Sequence, residues 1–244
     1  MLFTDGTVLT IAELREHDNL VLDVASTEGI ELSSKLSIAQ REIGYEISSF
    51  LMSRGVGLGL DNVVVTEQLK DLLADHTLAS VYRDAYNTHL NDRYLGRWRE
   101  FAKASERGLM RYLYNGVGVT SISIRRAEKP SVSTSALGDL PAGTYYVQIA
   151  WQHLAGNVSE RNAPVLMDVA GGSITVTPPS APANALGWHV FIGTSEGVVR
   201  RQNDSAISPM SSWTQAVTLR SDLSGVEPSG PDYYVRGAGQ LNRG

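Results

Sequence analysis

Cysteine is absent from the 244 residues. That excludes disulfides, thiolate metal sites and cysteine nucleophiles, and leaves stability to packing or assembly. Long apolar runs are missing as well, since none approaches the ~20 residues that cross a bilayer. The N-terminus lacks the basic-then-apolar order of a secretory leader. A soluble protein made in the cytoplasm, with no membrane partner, is the expectation. Neither sign of charge dominates: the formal net charge of -5 divides into -3 through Lys129 and -2 beyond it. Neither half has the basic balance of a general nucleic-acid binder.

Catalytic and metal-binding spacings are also lacking. The five histidines, His17, His76, His89, His153 and His189, follow no ligand spacing and stand in no H-E-x-x-H motif. His76 and His89 fall on helical phases with Leu and Tyr and suit partly buried structural roles, whereas His153 and His189 could approach one another across strands. No G-x-S-x-G elbow is present, and serines and carboxylates are too frequent for a trio or pair to be chosen without a spacing rule. The alternating glycines Gly55, Gly57 and Gly59 match neither G-x-G-x-x-G nor the P-loop, so they read as a flexible interhelix loop. The sequons at Asn157 and Asn203 matter only in a glycosylating secretory route. No catalytic, cofactor or metal residue is assigned, and the chain is not read as an enzyme.

What is present divides near Lys129 into a charged, helix-rich front and a back rich in Gly, Ser, Thr, Pro and Val. Asp5-Gly6 between Leu2–Thr4 and Thr7–Leu9 suits a hairpin turn, and Thr10 with Glu13 forms a capping box at the start of a short helix. A longer helix from Ser34 to Arg54 carries Leu36, Ala39, Ile43, Ile47, Phe50 and Leu51 on one stripe. Residues 66–115 organise the front. Leu69, Leu72, Leu73 and His76 keep one helical phase, Tyr82, Ala85, Tyr86 and His89 a second, and Leu95, Trp98, Ala102, Ser105, Leu109 and Leu113 a third. Slips near Asp75–Thr77 and Asn91–Asp92 predict breaks or kinks, and Asn115-Gly116 ends the last helix. In that helix Arg93, Arg97, Arg99, Lys103, Arg107 and Arg111 face only Glu100 and Glu106. Such a run suits a solvated face, an acidic partner or a nucleic-acid backbone.

After Gly116 the period becomes alternating, and Val117, Val119, Ile122 and Ile124 predict a strand bridging the halves. Short strands are expected over residues 144–152, 163–169, 173–177, 187–192, 198–201 and 212–219, separated by Gly- and Pro-rich turns. That spacing predicts an antiparallel sandwich with Trp151, Trp188 and Trp213 in its core. Beyond Arg220 the chain reads as an extended tail carrying Tyr233 and Tyr234.

Two stretches carry a resemblance: Leu140-Pro141-Ala142-Gly143-Thr144-Tyr145-Tyr146-Val147, and Gly187-Trp188-His189-Val190-Phe191-Ile192-Gly193-Thr194. They resemble immunoglobulin-like or fibronectin-III-like domains of tailed-bacteriophage structural proteins. The front, from Leu36 to Leu51 with the helices after Thr66, is similar to the helical core of head-to-tail adaptor (connector) proteins.

The resemblance implies an α+β multidomain chain: a helical adaptor-like domain over 1–129, an immunoglobulin/fibronectin-III-like β-sandwich over 130–220, and a tail over 221–244. It implies a structural virion protein of the phage neck, assembled in the host cytoplasm. Its partners would be other copies in a ring of twelve, the portal protein, and a stopper, tail-terminator or tail-tube protein. Double-stranded DNA would pass through the lumen without sequence-specific contact. The six basic residues would then face a neighbouring subunit or DNA, and Leu2, Phe3, Tyr233 and Tyr234 would dock on the portal or the next ring. The alternative is a tail, baseplate or decoration protein whose sandwich binds a host glycan or surface protein.

Overall fold

The computed structural model describes residues 1–89, 92–222 and 228–237, with only the backbone at His89. The chain forms helices in its N-terminal half and antiparallel sheets in its C-terminal half, an α+β arrangement. It divides into two compact units. One comprises Phe3–Ser121 with the described residues from Pro231 onward, the other Met1–Leu2 with Ile122–Gly230. The compositional change at Lys129 therefore lies inside the second unit.

The first unit begins with α1 (Ile11–His17), whose Thr10 and Glu13 form the expected reciprocal capping box. Between α1 and α2 (Val21–Glu28), Asp18 is buried and accepts from the Leu20 amide at 2.9 Å and the Tyr82 hydroxyl at 2.6 Å. Burial, with the neighbouring Asp18 carboxylate, pushes the Tyr82 phenol far above its ordinary value. In α3 (Leu32–Arg54) the predicted stripe from Leu36 to Leu51 is buried throughout, and Gly55 closes the helix at φ +64°.

The expected N-terminal hairpin does not form. Gly6 takes its positive φ, but the flanking segments are held by the Gln40 side chain. Gln40 accepts from the Val8 amide at 3.0 Å and donates to the Phe3 and Gly6 carbonyls at 3.1 and 2.8 Å. A side chain from a stable helix thus replaces the cross-strand ladder, which would be marginal on its own.

α4 (Glu67–His89) runs without a break through Asp75–Thr77. Thr77 is buried and its hydroxyl bonds back to the Leu73 carbonyl at 2.7 Å, so a residue suited to a cap is satisfied inside the helix instead. The second predicted break falls at Asn91, which lies outside the described residues; α5 (Asp92–Asn115) is described from Asp92.

α5 packs on α4 through rings: Tyr82 stacks on Phe101 at 5.6 Å and Tyr86 on Trp98 at 5.6 Å. Its buried residues are Tyr94, Phe101, Ser105 and Tyr112. The predicted core phase is therefore displaced: except for Ser105, its members are half-buried or exposed. The aromatic side chains that stack near Tyr82 take the interior, and the Leu/Trp/Ala stripe is left at the margin, with Trp98 stacked on Tyr86.

The predicted bridging strand is shorter than its apolar pattern. Only Val117–Val119 (β1) is a strand, and it belongs to the helical unit; Ile122 and Ile124 lie outside it. Its partner is Tyr233–Val235 (β9), within the stretch read as a tail, with Val117 opposite Val235. Asp232 fastens this return by accepting from the Ser121 amide at 2.9 Å and the Thr120 and Ser121 hydroxyls at 3.0 Å each. Gly116, at φ +118°, must lack a Cβ, which would lie 2.9 Å from Tyr234 Cβ and Arg236 Cγ.

The second unit has two antiparallel sheets. One orders β2 (Ser131–Leu140), β5 (Gly172–Thr177) and β8 (Trp213–Gln215); the other orders β4 (Val165–Val169), β3 (Gly143–His153), β6 (Ala185–Gly193) and β7 (Arg200–Arg201). Val147, Ile149 and Trp151 of β3, Ile174 and Val176 of β5, and Trp188, Val190 and Ile192 of β6 share one core. Trp151 and Trp188 are fully buried, whereas Trp213 is half-buried against them. β2 has no counterpart in the sequence reading, because its Ser-rich residues are mostly exposed and show no period.

Candidate functional site

The six basic residues of α5 are all exposed. At 3.6 residues per turn Arg99, Lys103, Arg107 and Arg111 follow one another along a ridge. Arg93 and Arg97 start a neighbouring row, the first over the Tyr94 ring at 5.6 Å and the second over Phe101 at 6.0 Å. Arg97 also reaches Glu100 at 3.8 Å.

Arg107 and Arg111 border a hollow with His17, Asp71 and Asp75. There burial raises the Asp75 carboxyl above its ordinary value, opposed by His17 and Arg107. Arg99 and Lys103 have no carboxylate partner among the described residues. The same face holds two large apolar side chains in water, Met110 at 59 % and Tyr114 at 71 % exposure. Arg, Met and Tyr are residue types enriched in protein interfaces, and a merely solvated face has no use for the last two.

Beside this ridge lies an open groove of about 520 Å³ between α3, α4 and α5. Its apolar lining is Ile43, Trp98, Ala102 and Leu109, and its acidic lining is Glu42, Glu46 and Glu106, with Arg83 as the opposing cation. Trp98, Ala102 and Leu109 belong to the stripe that the helical period assigned to the core. Tyr45, 66 % exposed, also lines the groove.

His76 ties the three helices together, with Nδ1 2.9 Å from Ser105 Oγ and Nε2 2.8 Å from Glu42 Oε2. Sequence reasoning missed this trio, because its members come from three helices and no local spacing joins them. The arrangement can relay a proton. Acyl transfer requires more, namely donors for a developing oxyanion, and amides flanking Ser105 in mid-helix are committed to the helix ladder. Its evident action is to clamp three helices.

The other named residues are dispersed. Leu2 and Phe3 are buried, the latter's ring against Gly44 of α3, whereas Tyr233 and Tyr234 are exposed on β9. His153 and His189 do not meet, since β3 places Ala150 opposite His189 and His153 opposite Ala185. His189 binds Gln152 at 2.9 Å and Asn203 at 3.0 Å, and burial with the nearby Arg201 cation holds its pKa below the ordinary histidine value. Among the described residues no three His, Asp or Glu side chains form a metal-binding group. Among the described residues no helix is long and apolar enough to cross a membrane. No family model and no curated protein matches the sequence.

Proposed function

We propose that the chain is a structural protein of the tailed-phage neck. It would form a ring that joins portal to tail, twelve copies in the adaptor pattern, and lets double-stranded DNA pass. The observation carrying this reading is the outer face of α5, where a row of exposed cations, Arg99 and Lys103 among them without a carboxylate partner among the described residues, runs along the same side as exposed Met110 and Tyr114. That composition suits a macromolecular contact, and the basic row favours an acidic neighbour over DNA, because a channel that must release DNA gains little from tight phosphate binding.

The β unit fits an accessory immunoglobulin-like sandwich. Three strands and four strands share one core, and the Tyr145 hydroxyl donates to the Pro141 carbonyl at 2.8 Å, the back-bond of a tyrosine corner. Chain order departs from the family pattern: β3 leads into the edge strand β4 before the chain enters the other sheet at β5. The receptor-binding alternative receives no support from an aromatic platform, since Tyr145 and Trp188 are buried and Tyr146 and Trp213 half-buried.

Imaging of the purified protein with and without portal protein tests the assignment. Rings stacked on the portal are expected. A monomer or trimer that ignores the portal and binds host cells would overturn it.

A further inference from the structure

We infer that the α3–α4–α5 groove of one copy receives the outer face of α5 from the next copy, in a head-to-tail contact. This rests on the ring-forming reading and supplies the partner surface that it leaves open. The occupant is a second copy of this chain, because the two surfaces match in both charge and polarity.

The groove carries Glu46 and Glu106, with Glu42 held by His76, against the single full cation Arg83. The outer face carries Arg99 and Lys103, which have no carboxylate partner among the described residues. Met110 and Tyr114 lie farther along the same side of the helix, and the groove has an apolar lining that includes Trp98 and Leu109. An apolar centre rimmed by opposite charges is the anatomy of a specific contact, with the charges setting register and the rings and thioether supplying burial.

The displaced stripe of α5 is the independent observation. Ala102 and Leu109 keep helical spacing yet line an open groove instead of the core, and Trp98, though stacked on Tyr86, lines it too, so apolar surface is left open to a partner. Groove and outer face adjoin on α5 but use different side chains, the first Trp98, Glu106 and Leu109 and the second Arg99, Lys103, Met110 and Tyr114. Such a contact is heterologous and propagates, closing into a ring when the rotation permits.

The test exploits the alternation of two reversed charge sets. Arg99→Glu with Lys103→Glu makes the outer face acidic, and Glu46→Lys with Glu106→Lys makes the groove basic. Each full-length variant alone should associate at least tenfold more weakly than the parent in sedimentation velocity. Equal mixing should restore association, because an acidic face then meets a basic groove and the unaltered pair also fits. The parent's association should weaken with salt.

Since the chain has no cysteine, Tyr114→Cys copies mixed with Tyr45→Cys copies give a second readout: a short thiol cross-linker should join the two kinds. A mixture that stays dissociated, variants that associate as the parent does, cross-links only between like copies, or a parent monomeric up to millimolar concentration would each overturn the contact. Rescue on mixing without portal binding leaves the contact standing and removes the neck assignment. Portal-bound rings that tolerate both reversals do the opposite.

Discussion

The two units differ in where their most distinctive polar groups point. In the β unit buried amide side chains are turned inward and stand in for ladder partners. Asn162 accepts from the Ile149 amide at 2.6 Å, and Asn203 accepts from the Val190 amide at 2.9 Å while donating to the Ser205 carbonyl at 2.6 Å. In the helical unit the strongest run of charge, with Met110 and Tyr114 among it, is turned outward. The β unit therefore spends its specificity on its own backbone, and the helical unit keeps surface in reserve for a partner. That contrast supports placing association in the helices and an accessory role in the sheets.

The largest expected effect strikes the β core. Trp188 is fully buried and its indole N–H donates to the Ser208 carbonyl at 3.1 Å. Trp188→Ala should cost about 3–5 kcal/mol through lost burial and an unfilled cavity. Hydrogen exchange resolved by peptide should show β3 and β6 losing protection, with α4 and α5 unchanged. Equal loss in the helices would break the distinction between the units.

Asn203→Ala comes next, at about 1–3 kcal/mol, because the buried Val190 amide loses its acceptor. Urea unfolding measures it. A cost below about 0.5 kcal/mol would mean that the inward-turned amides are decoration and that the contrast is one of surface alone.

Much of this contrast was legible from the sequence, though unevenly. The α3 stripe and the Thr10–Glu13 capping box are local patterns, and both are present. The basic run of α5 is equally local. Its core face was misplaced because period alone cannot say which of two adjacent apolar stripes finds a partner, and here the rings of Tyr94 and Phe101 packed near Tyr82 decided it.

β2 escaped because an exposed strand need not alternate, and β9 because three residues whose partner lies over a hundred positions away carry no pattern. The Glu42–His76–Ser105 clamp escaped for the same reason of distance. Gln40 shows a further limit: one side chain from α3 outcompeted a turn dipeptide whose local signal was sound.

A pH measurement sharpens the comparison at the C-terminal return. Hydrogen bonds from the Ser121 amide and the Thr120 and Ser121 hydroxyls hold the Asp232 carboxyl below its ordinary value of 3.8. A lowered folded-state pKa contributes stability that is present above the unfolded value and lost as pH falls through the folded one. Amide resonances of Val117–Val119 and Tyr233–Val235 should therefore move toward unstructured positions only below about pH 4. Asp232→Ala should produce the same shift at neutral pH, at about 1 kcal/mol for an exposed, screened carboxylate.

The smallest effect should have the opposite sign. Tyr112 of α5 is buried with its hydroxyl unpartnered among the described residues, and burial pushes its phenol far above the ordinary value. A buried hydroxyl without a partner costs free energy, whereas the ring itself is retained in Tyr112→Phe. That substitution should leave stability unchanged or raise it by up to about 1 kcal/mol, which chemical unfolding can read. Destabilisation of more than about 1 kcal/mol would mean that the hydroxyl has an ordered water in solution. No buried side-chain polar atom of the helical unit among the described residues would then lack a partner, and the contrast would narrow to the outer face of α5.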